Sequence, residues 1–247
     1  MNPTTPNTLR GCFVTGTDTD AGKTRISAAL LHWCAQHGLR SAGYKPVAAG
    51  MECVDGEWVN DDVRVLRQAS SVEITHADVG PQQFRAACAP HIAAELEGRS
   101  IDFAALVAHA HTLAQRADVL VAEGAGGFCV PLEPDTDTAD LAVALGLPVV
   151  LVVRMRLGCI NHALLTAEAI RARGLVLAGW VANAVSPGME FEAQNLATLR
   201  AELQRRFGAP CLGVVPHLST PSAAQVATYL DDAALRTLFE INASDVK

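Results

Sequence analysis

Six short apolar runs recur along the chain: residues 12–15 (CFVT), 41–47 (SAGYKPV), 118–124 (DVLVAEG), 148–153 (PVVLVV), 175–183 (LVLAGWVAN) and 211–215 (CLGVV). They are apolar at consecutive positions instead of alternating, so a strand made from any of them needs cover on both faces. That is the condition of a parallel sheet with helices on either side. The segments between them carry the helical period. In 23–37, Ile26, Ala29, Leu30 and Trp33 repeat at three- and four-residue spacing, with Gly38 as the expected C-cap. Segments 102–116, 159–173 and 189–207 read the same way, and a last helix is expected over 222–239. The expected fold class is α/β, a mostly parallel sheet with helices on both faces. No Pro/Gly/Ser linker and no internal repeat interrupts the rhythm, so one domain is expected over 10–240, with a loose leader at 1–9 and a polar tail at 241–247.

Composition narrows the partners. Half of the 247 residues are apolar and 18% are charged, which excludes general disorder. The net charge is −7 and no Lys/Arg block is present, which argues against a nucleic-acid partner. Any anionic ligand must then be held by a local device. Seven cysteines stand singly, without C-x-x-C or mixed Cys/His ligand spacing, and read as reduced thiols of a cytoplasmic protein. The first ten residues hold no apolar signal-like core, and no run of 18 apolar residues follows, so neither secretion nor a membrane span is expected.

The strongest local signal is residues 11–25, GCFVTGTDTDAGKTR. A strand runs into a glycine-bearing turn, and Gly22-Lys23-Thr24 opens a helix. Backbone N–H groups at such a joint form an anion cradle, the lysine adds a point charge toward terminal phosphates, and the threonine hydroxyl can ligate Mg²⁺. The expected architecture is therefore a single-domain P-loop NTPase-like fold. The pattern G-x-x-x-x-G-K-[ST] is not met strictly, because Thr17 stands in the first glycine's place and Gly16 lies one position early. The plain alternative is an ordinary strand–turn–helix joint with a surface lysine.

In an open α/β sheet the site lies beyond the C-terminal strand ends. Glu123 ends the run DVLVA and precedes Gly124-Ala125-Gly126-Gly127, a turn where backbone can approach a ligand closely. Asp61 and Asp62 open the helical stretch DDVRVLRQA; Asp61 reads as the helix cap and Asp62 as a ligand. Thr24, Asp62 and Glu123 then form a candidate Mg²⁺ shell, against the bland readings of a second cap and a solvated loop acid. Lys45, at the end of SAGYK, faces the same edge. It suits charge developing on a phosphoryl group or carbonyl-type oxygen, or is a snorkelling surface lysine. His109 and His111 stand two apart on a helix and cannot chelate one ion; His91 caps or packs. Cys159, at a helix start without a base partner, reads as inert packing.

Together these residues resemble the dethiobiotin synthetase family. The resemblance is carried by GTDTDAGKT (16–24), AGYKPVAAG (42–50), APHIAAELEGRSI (89–101), AEGAGGF (122–128), LGCINHALLTAEAI (157–170) and GWVAN (179–183), in order, spanning about 11–218. It implies a MgATP-dependent ligase that takes 7,8-diaminononanoate and CO₂ through a carbamate and a carbamic–phosphoric anhydride to dethiobiotin, ADP and phosphate. It also implies that Asp20, Ala21, Gly22, Lys23, Thr24 and Arg25 cradle the phosphates, with Glu123, Gly124, Ala125 and Gly126 facing the nucleotide. Thr24, Asp62 and Glu123 would hold Mg²⁺, and Lys45 and Lys23 would be the catalytic cations. Asn183 with Pro216, His217 and Leu218 would receive adenine. Thr19 and Ala49 would contact the substrate. In the implied homodimer, Leu157, Gly158, Cys159, Ile160 and Asn161 would receive the substrate carboxylate across the interface.

The chain departs from that family at three places. Ala49 replaces a frequent hydroxyl residue, Asp20 stands where a longer acid is common, and Phe128-Cys129-Val130-Pro131 is less aromatic. The alternatives are a MinD/ParA-like positioning ATPase, a related amidotransferase-type synthetase without its glutaminase part, and a nucleotide-binding module without turnover. A positioning ATPase calls for a second lysine early in the phosphate loop and a basic or amphipathic tail, whereas Lys23 is the loop's only lysine and EINASDVK closes the sequence.

Overall fold

A computed structural model describes residues 9–54 and 56–241. The expected leader at 1–9 and tail at 241–247 fall almost entirely outside these residues. Among them, six strands form one parallel sheet: β1 (Gly11–Gly16), β2 (Ser41–Tyr44), β3 (Val119–Glu123), β4 (Val149–Arg154), β5 (Leu177–Asn183) and β6 (Cys211–Val215). Their order across the sheet is β6-β5-β4-β1-β3-β2. Every pairing is parallel. β1, β2 and β3 are buried at every position, as apolar runs covered on both faces require.

Seven helices lie along the chain between or beside these strands, five of them where helical segments were expected and two, over Pro90–Leu96 and Thr138–Leu145, where none was. They are α1 (Lys23–Gln36), α2 (Asp61–Ala69), α3 (Pro90–Leu96), α4 (Phe103–Ala114), α5 (Thr138–Leu145), α6 (Cys159–Ala172) and α7 (Glu192–Phe207). On α1, Ile26, Ala29, Leu30 and Trp33 are buried. Gly38, at φ 75°, lies one residue past the helix C-cap, His37. Trp180, Tyr44, Phe13, Phe84 and Phe239 are the largest fully buried side chains of one continuous core.

Three further elements differ from expectation, each for a local reason. The run 41–47 does not stay in one sheet. Lys45 N donates to Val79 O at 2.7 Å, Pro46 has no N–H to give, and Val47–Ala49 pairs instead with Gln82–Phe84 in a separate two-stranded sheet. The stretch after it forms a hairpin, Met51–Val54 against Glu57–Asn60. The expected helix over 222–239 is two helices, Ala223–Ala227 and Asp232–Leu238. Between them Leu230 bridges to Gly213 of β6, Asp231 N donates to Leu212 O at 2.8 Å, and the Asp231 side chain caps the second helix.

The topology positions the site. β1 sits between β3 and β4, and the chain crosses over it from one half of the sheet to the other. In register, Val14 faces Glu123, Gly16 faces Val152 and Arg154 faces Asn183, so these residues end at one edge. Crevices at such a reversal hold ligands in open α/β sheets. Among the described residues no helix is long and apolar enough to cross a membrane.

Candidate active site

Residues 17–22 turn from β1 into α1. The turn is pinned by Thr17 N to Val152 O at 3.0 Å, by Arg154 N to Thr17 Oγ1 at 3.2 Å, and by an Asp18–Arg156 ion pair at 2.6 Å. Asp20 adopts φ 58°. Gly22 is the N-cap of α1 at φ 87°, and no side chain caps the helix. A Cβ at Gly22 would lie 2.1 Å from Asn183 Nδ2, so glycine is demanded by both conformation and space. The uncapped N–H groups of α1 remain available to an anion.

Lys23 follows at the first helical position, buried, and Nζ donates to Gly126 O at 2.7 Å. Burial, reinforced by the nearby Lys45 charge, lowers its pKa against the pull of Glu123, Asp62 and Asp20. Lys45, 3% exposed, donates to Glu123 Oε1 at 2.7 Å and Gly124 O at 3.1 Å and forms an ion pair with Asp62 Oδ2 at 2.8 Å. Burial works against its charge, but the Glu123 and Asp62 carboxylates outweigh it and hold its pKa above the ordinary lysine value. Asp62 shows the converse: partial burial opposes ionisation, while the Lys45 charge and hydrogen bonds from Lys45 and Thr24 bring its pKa below the ordinary aspartate value. Thr24 Oγ1 lies 2.7 Å from Asp62 Oδ1 and 2.8 Å from Glu123 Oε1.

These groups meet in a cleft of about 820 Å³. Thr19, Asp20, Gly22, Lys23, Thr24, Arg25, Lys45, Ala49, Asp62, Ala125 and Gly126 all line it. Glu123, fully buried, and Gly124 stand behind the Lys45 ammonium. Ala21 is buried on the inner side of the loop, where its carbonyl accepts from Asn183 Nδ2 at 2.8 Å; Asn183 Oδ1 is buried without a partner among the described residues. Pro216, His217 and Leu218 follow β6 beside the cleft, where His217 Nδ1 donates to the carbonyl of Val185, itself a lining residue.

Leu157, Gly158, Cys159, Ile160 and Asn161 form the start of α6 and do not line this cleft. Leu157 is 93% exposed and the Cys159 side chain is buried. Asp61 is not the cap of α2. That residue is Asn60, whose side chain accepts from Val63 N, while Asp61 pairs with Arg64. Asn60 also donates to the carbonyls of Ala49 and Gly50 at 3.1 and 2.9 Å, tying the base of α2 to the cleft wall. It is a site-supporting residue that sequence reasoning missed, although an Asn ahead of Asp-Asp is itself a cap signal. The wall Ala87–Pro90 was missed as well, because small residues lining a cavity leave no chemical signature. His91 does not cap α3, whose N-cap is Ala89; its Nδ1 donates to Pro131 O at 3.1 Å.

The donor set fits a hard divalent cation. One hydroxyl and two carboxylates converge, Glu123 Oε2 is buried without a partner among the described residues, and the single Thr24 hydrogen can serve only one of the two carboxylate oxygens beside it.

A parallel sheet whose central strand feeds a glycine-bearing turn, with Gly-Lys-Thr opening the following helix, defines the class of P-loop nucleoside-triphosphate-binding folds. The chain belongs to a family described as AAA domain, whose model matches residues 10–225. Among solved structures, it is similar to the MinC:MinD cell division protein complex of Aquifex aeolicus, at 13% identity and a TM-score of 0.54, covering 95% of this chain and 97% of that one. FtsY of Thermotoga maritima matches at 15% identity and a TM-score of 0.46, covering 95% of this chain and 70% of that one. FtsY of Elizabethkingia anophelis in complex with GDP matches at 15% identity and a TM-score of 0.47, covering 98% and 67%. The first of these carries the comparison of folds.

Proposed function

We propose that the protein is an ATP-dependent carbon–nitrogen ligase of the dethiobiotin synthetase kind, closing a ureido ring on 7,8-diaminononanoate with CO₂. The observation that carries this reading is the meeting of two buried ammonium groups, Lys23 and Lys45, with Thr24, Asp62 and Glu123 in one cleft. A P-loop alone accounts for Lys23 and Thr24. It does not account for a second buried lysine from a different strand end, facing the same space. In this reading the loop and the first turn of α1 hold the triphosphate, and Lys23 meets its terminal oxygens. Thr24, Asp62 and Glu123 hold Mg²⁺, which neutralises phosphate charge.

Lys45 stabilises the charge on the carbamate and on the phosphoryl group passed to it, and the second amine then displaces phosphate. Positioning and charge supply the rate without a protein nucleophile. Asn183 Oδ1 is an acceptor left for a donor such as the adenine amino group. The exposed start of α6 suits a substrate carboxylate arriving from a second copy of the chain in a homodimer, and its helix dipole favours the negative charge. Ala49 contributes only a methyl group and the carbonyl already held by Asn60, so hydrogen bonds to the diamine there must come from elsewhere.

The fold shared with MinD supports a MinD/ParA-like ATPase equally well at the level of architecture. One assay separates the two: ADP release with Mg²⁺, ATP and bicarbonate, with and without 7,8-diaminononanoate, alongside mass detection of dethiobiotin. Release that requires the diamine and yields product is expected. Release indifferent to the diamine overturns the ligase reading in favour of the ATPase.

A further inference from the structure

We propose that in the nucleotide-free protein the Lys45 ammonium occupies the divalent cation's seat, so that the site accepts the cation only as its complex with a nucleotide, whose arrival frees Lys45 for chemistry. The proposal rests on the reading of Thr24, Asp62 and Glu123 as the cation's ligands.

An ammonium group has three hydrogens to donate. Lys45 donates to Glu123 Oε1 at 2.7 Å and to Gly124 O at 3.1 Å, and its ammonium lies 2.8 Å from Asp62 Oδ2 in an ion pair. With the ammonium packed against three protein oxygens, the lysine as it stands cannot do the work assigned to it. The two carboxylates it holds are the ones Thr24 Oγ1 reaches at 2.7 and 2.8 Å. Lys45 and Thr24 share Glu123 Oε1 and take opposite oxygens of Asp62, so a cation bound between these two carboxylates would meet the ammonium within about one contact distance, and both charges could not remain there.

Charge count gives the direction. Lys23 and Lys45 balance Asp62 and Glu123, and the group is neutral where Lys45 is 3% and Glu123 0% exposed. A lone divalent cation would leave two uncompensated positive charges beside the buried Lys45 and Glu123, although the Asp62 side chain is 38% exposed, and that is costly. A cation arriving on a polyphosphate brings its own compensation. The displaced ammonium also has somewhere to go, because Lys45 lines the cleft and its flexible stem carries a point charge.

The test uses the nucleotide-free full chain and does not read activity. Mn²⁺ is the probe, and its free concentration is followed by electron paramagnetic resonance for the wild type and for Lys45→Met, which keeps the stem and removes the charge. The variant is expected to bind Mn²⁺ at least about tenfold more tightly than the wild type. Equal or weaker binding overturns the proposal. Because Lys45→Met leaves Glu123 buried without its cation and can impair folding, a second measurement uses the unaltered chain. With ¹⁵N-labelled lysine, only three side chains contribute signals, Lys23, Lys45 and Lys247. The Lys45 signal is expected to stay in place with Mg²⁺ alone and to shift with Mg²⁺ plus ADP. A shift with Mg²⁺ alone, or none with Mg²⁺–ADP that calorimetry shows to be bound, overturns the proposal while the nucleotide-site reading stands. If Mg²⁺–ADP does not bind at all, that reading falls and the proposal with it.

Discussion

Lys23 and Lys45 are two of only three lysines in the chain, all other permanent cations being arginine. An ammonium is a compact point charge that can follow a moving phosphoryl group, whereas a guanidinium is a planar fork. Lys23→Ala is expected to abolish turnover and to weaken ATP binding measured by calorimetry, since this lysine reaches across the loop toward Gly126. Lys45→Ala is expected to lower kcat by about 10²-fold or more with a smaller effect on nucleotide affinity, the pattern of a group used in the transition state; loss confined to ATP binding would remove it from that role. Gly22→Ala is expected to cost about 1–3 kcal/mol by urea unfolding, from its left-handed backbone and from the approach of Asn183 Nδ2. In an Asn183→Ala background that cost should shrink toward the backbone component alone. The Gly-Lys-Thr opening of α1 was legible at this scale, because its chemistry lies in adjacent residues. The Lys45–Glu123 contact was not, because its partners lie 78 residues apart and meet only through the pairing of β2 with β3.

At the scale of elements, α2 places Asp62 and Asn60 places α2. Asn60→Ala removes the cap and two hydrogen bonds to the cleft wall. A loss of about 2–3 kcal/mol is expected, summing a cap near 1 kcal/mol with about 1 kcal/mol for each bond, and is checked by the urea midpoint. Asn60→Asp, which restores the cap acceptor and not the donors, should recover only the first part. The periodic helices α1, α4, α6 and α7 and the six central strands were legible because each satisfies its own pattern. The interruptions were not. The chain leaves the sheet at Lys45-Pro46 because Val79 offers a carbonyl, and the last helix breaks because β6 offers partners to Leu230 and Asp231. Those partners are distant in sequence, so no local window contains the cause.

For the whole molecule, the buried charges set how stability depends on pH. Asp62 is held below the ordinary aspartate pKa by Lys45 and its hydrogen bonds, against its burial. Its contribution is complete above the unfolded value of about 4 and is lost as pH falls through the lower folded value. Lys45 is held above the ordinary lysine pKa. Its contribution is complete below about 10.4 and is lost only as pH rises through the raised folded value. Urea unfolding across pH should therefore show an acid limb that Asp62→Asn flattens, and no slope from this pair near neutrality. The assembly can be tested too. If the start of α6 serves a neighbouring subunit, mixing Lys45→Ala chains with chains disrupted at Leu157–Asn161 should restore part of the activity in hybrid dimers. No recovery despite proven subunit exchange would confine the site to one chain.

The amino-acid order alone determined the layered α/β plan and the phosphate-loop joint, because periodicity, burial demand and backbone turn chemistry act over a few neighbouring residues. The sequence placed Lys45, Glu123, Asp62 and Thr24 at one edge, but only the tertiary structure decided that the lysine after β2 pairs directly with the acid ending β3 and the acid on α2, and that Asn183 underlies the loop. Coulombic and hydrogen-bond partners act through space, and the crossing of the chain over β1 is what brings these ends together.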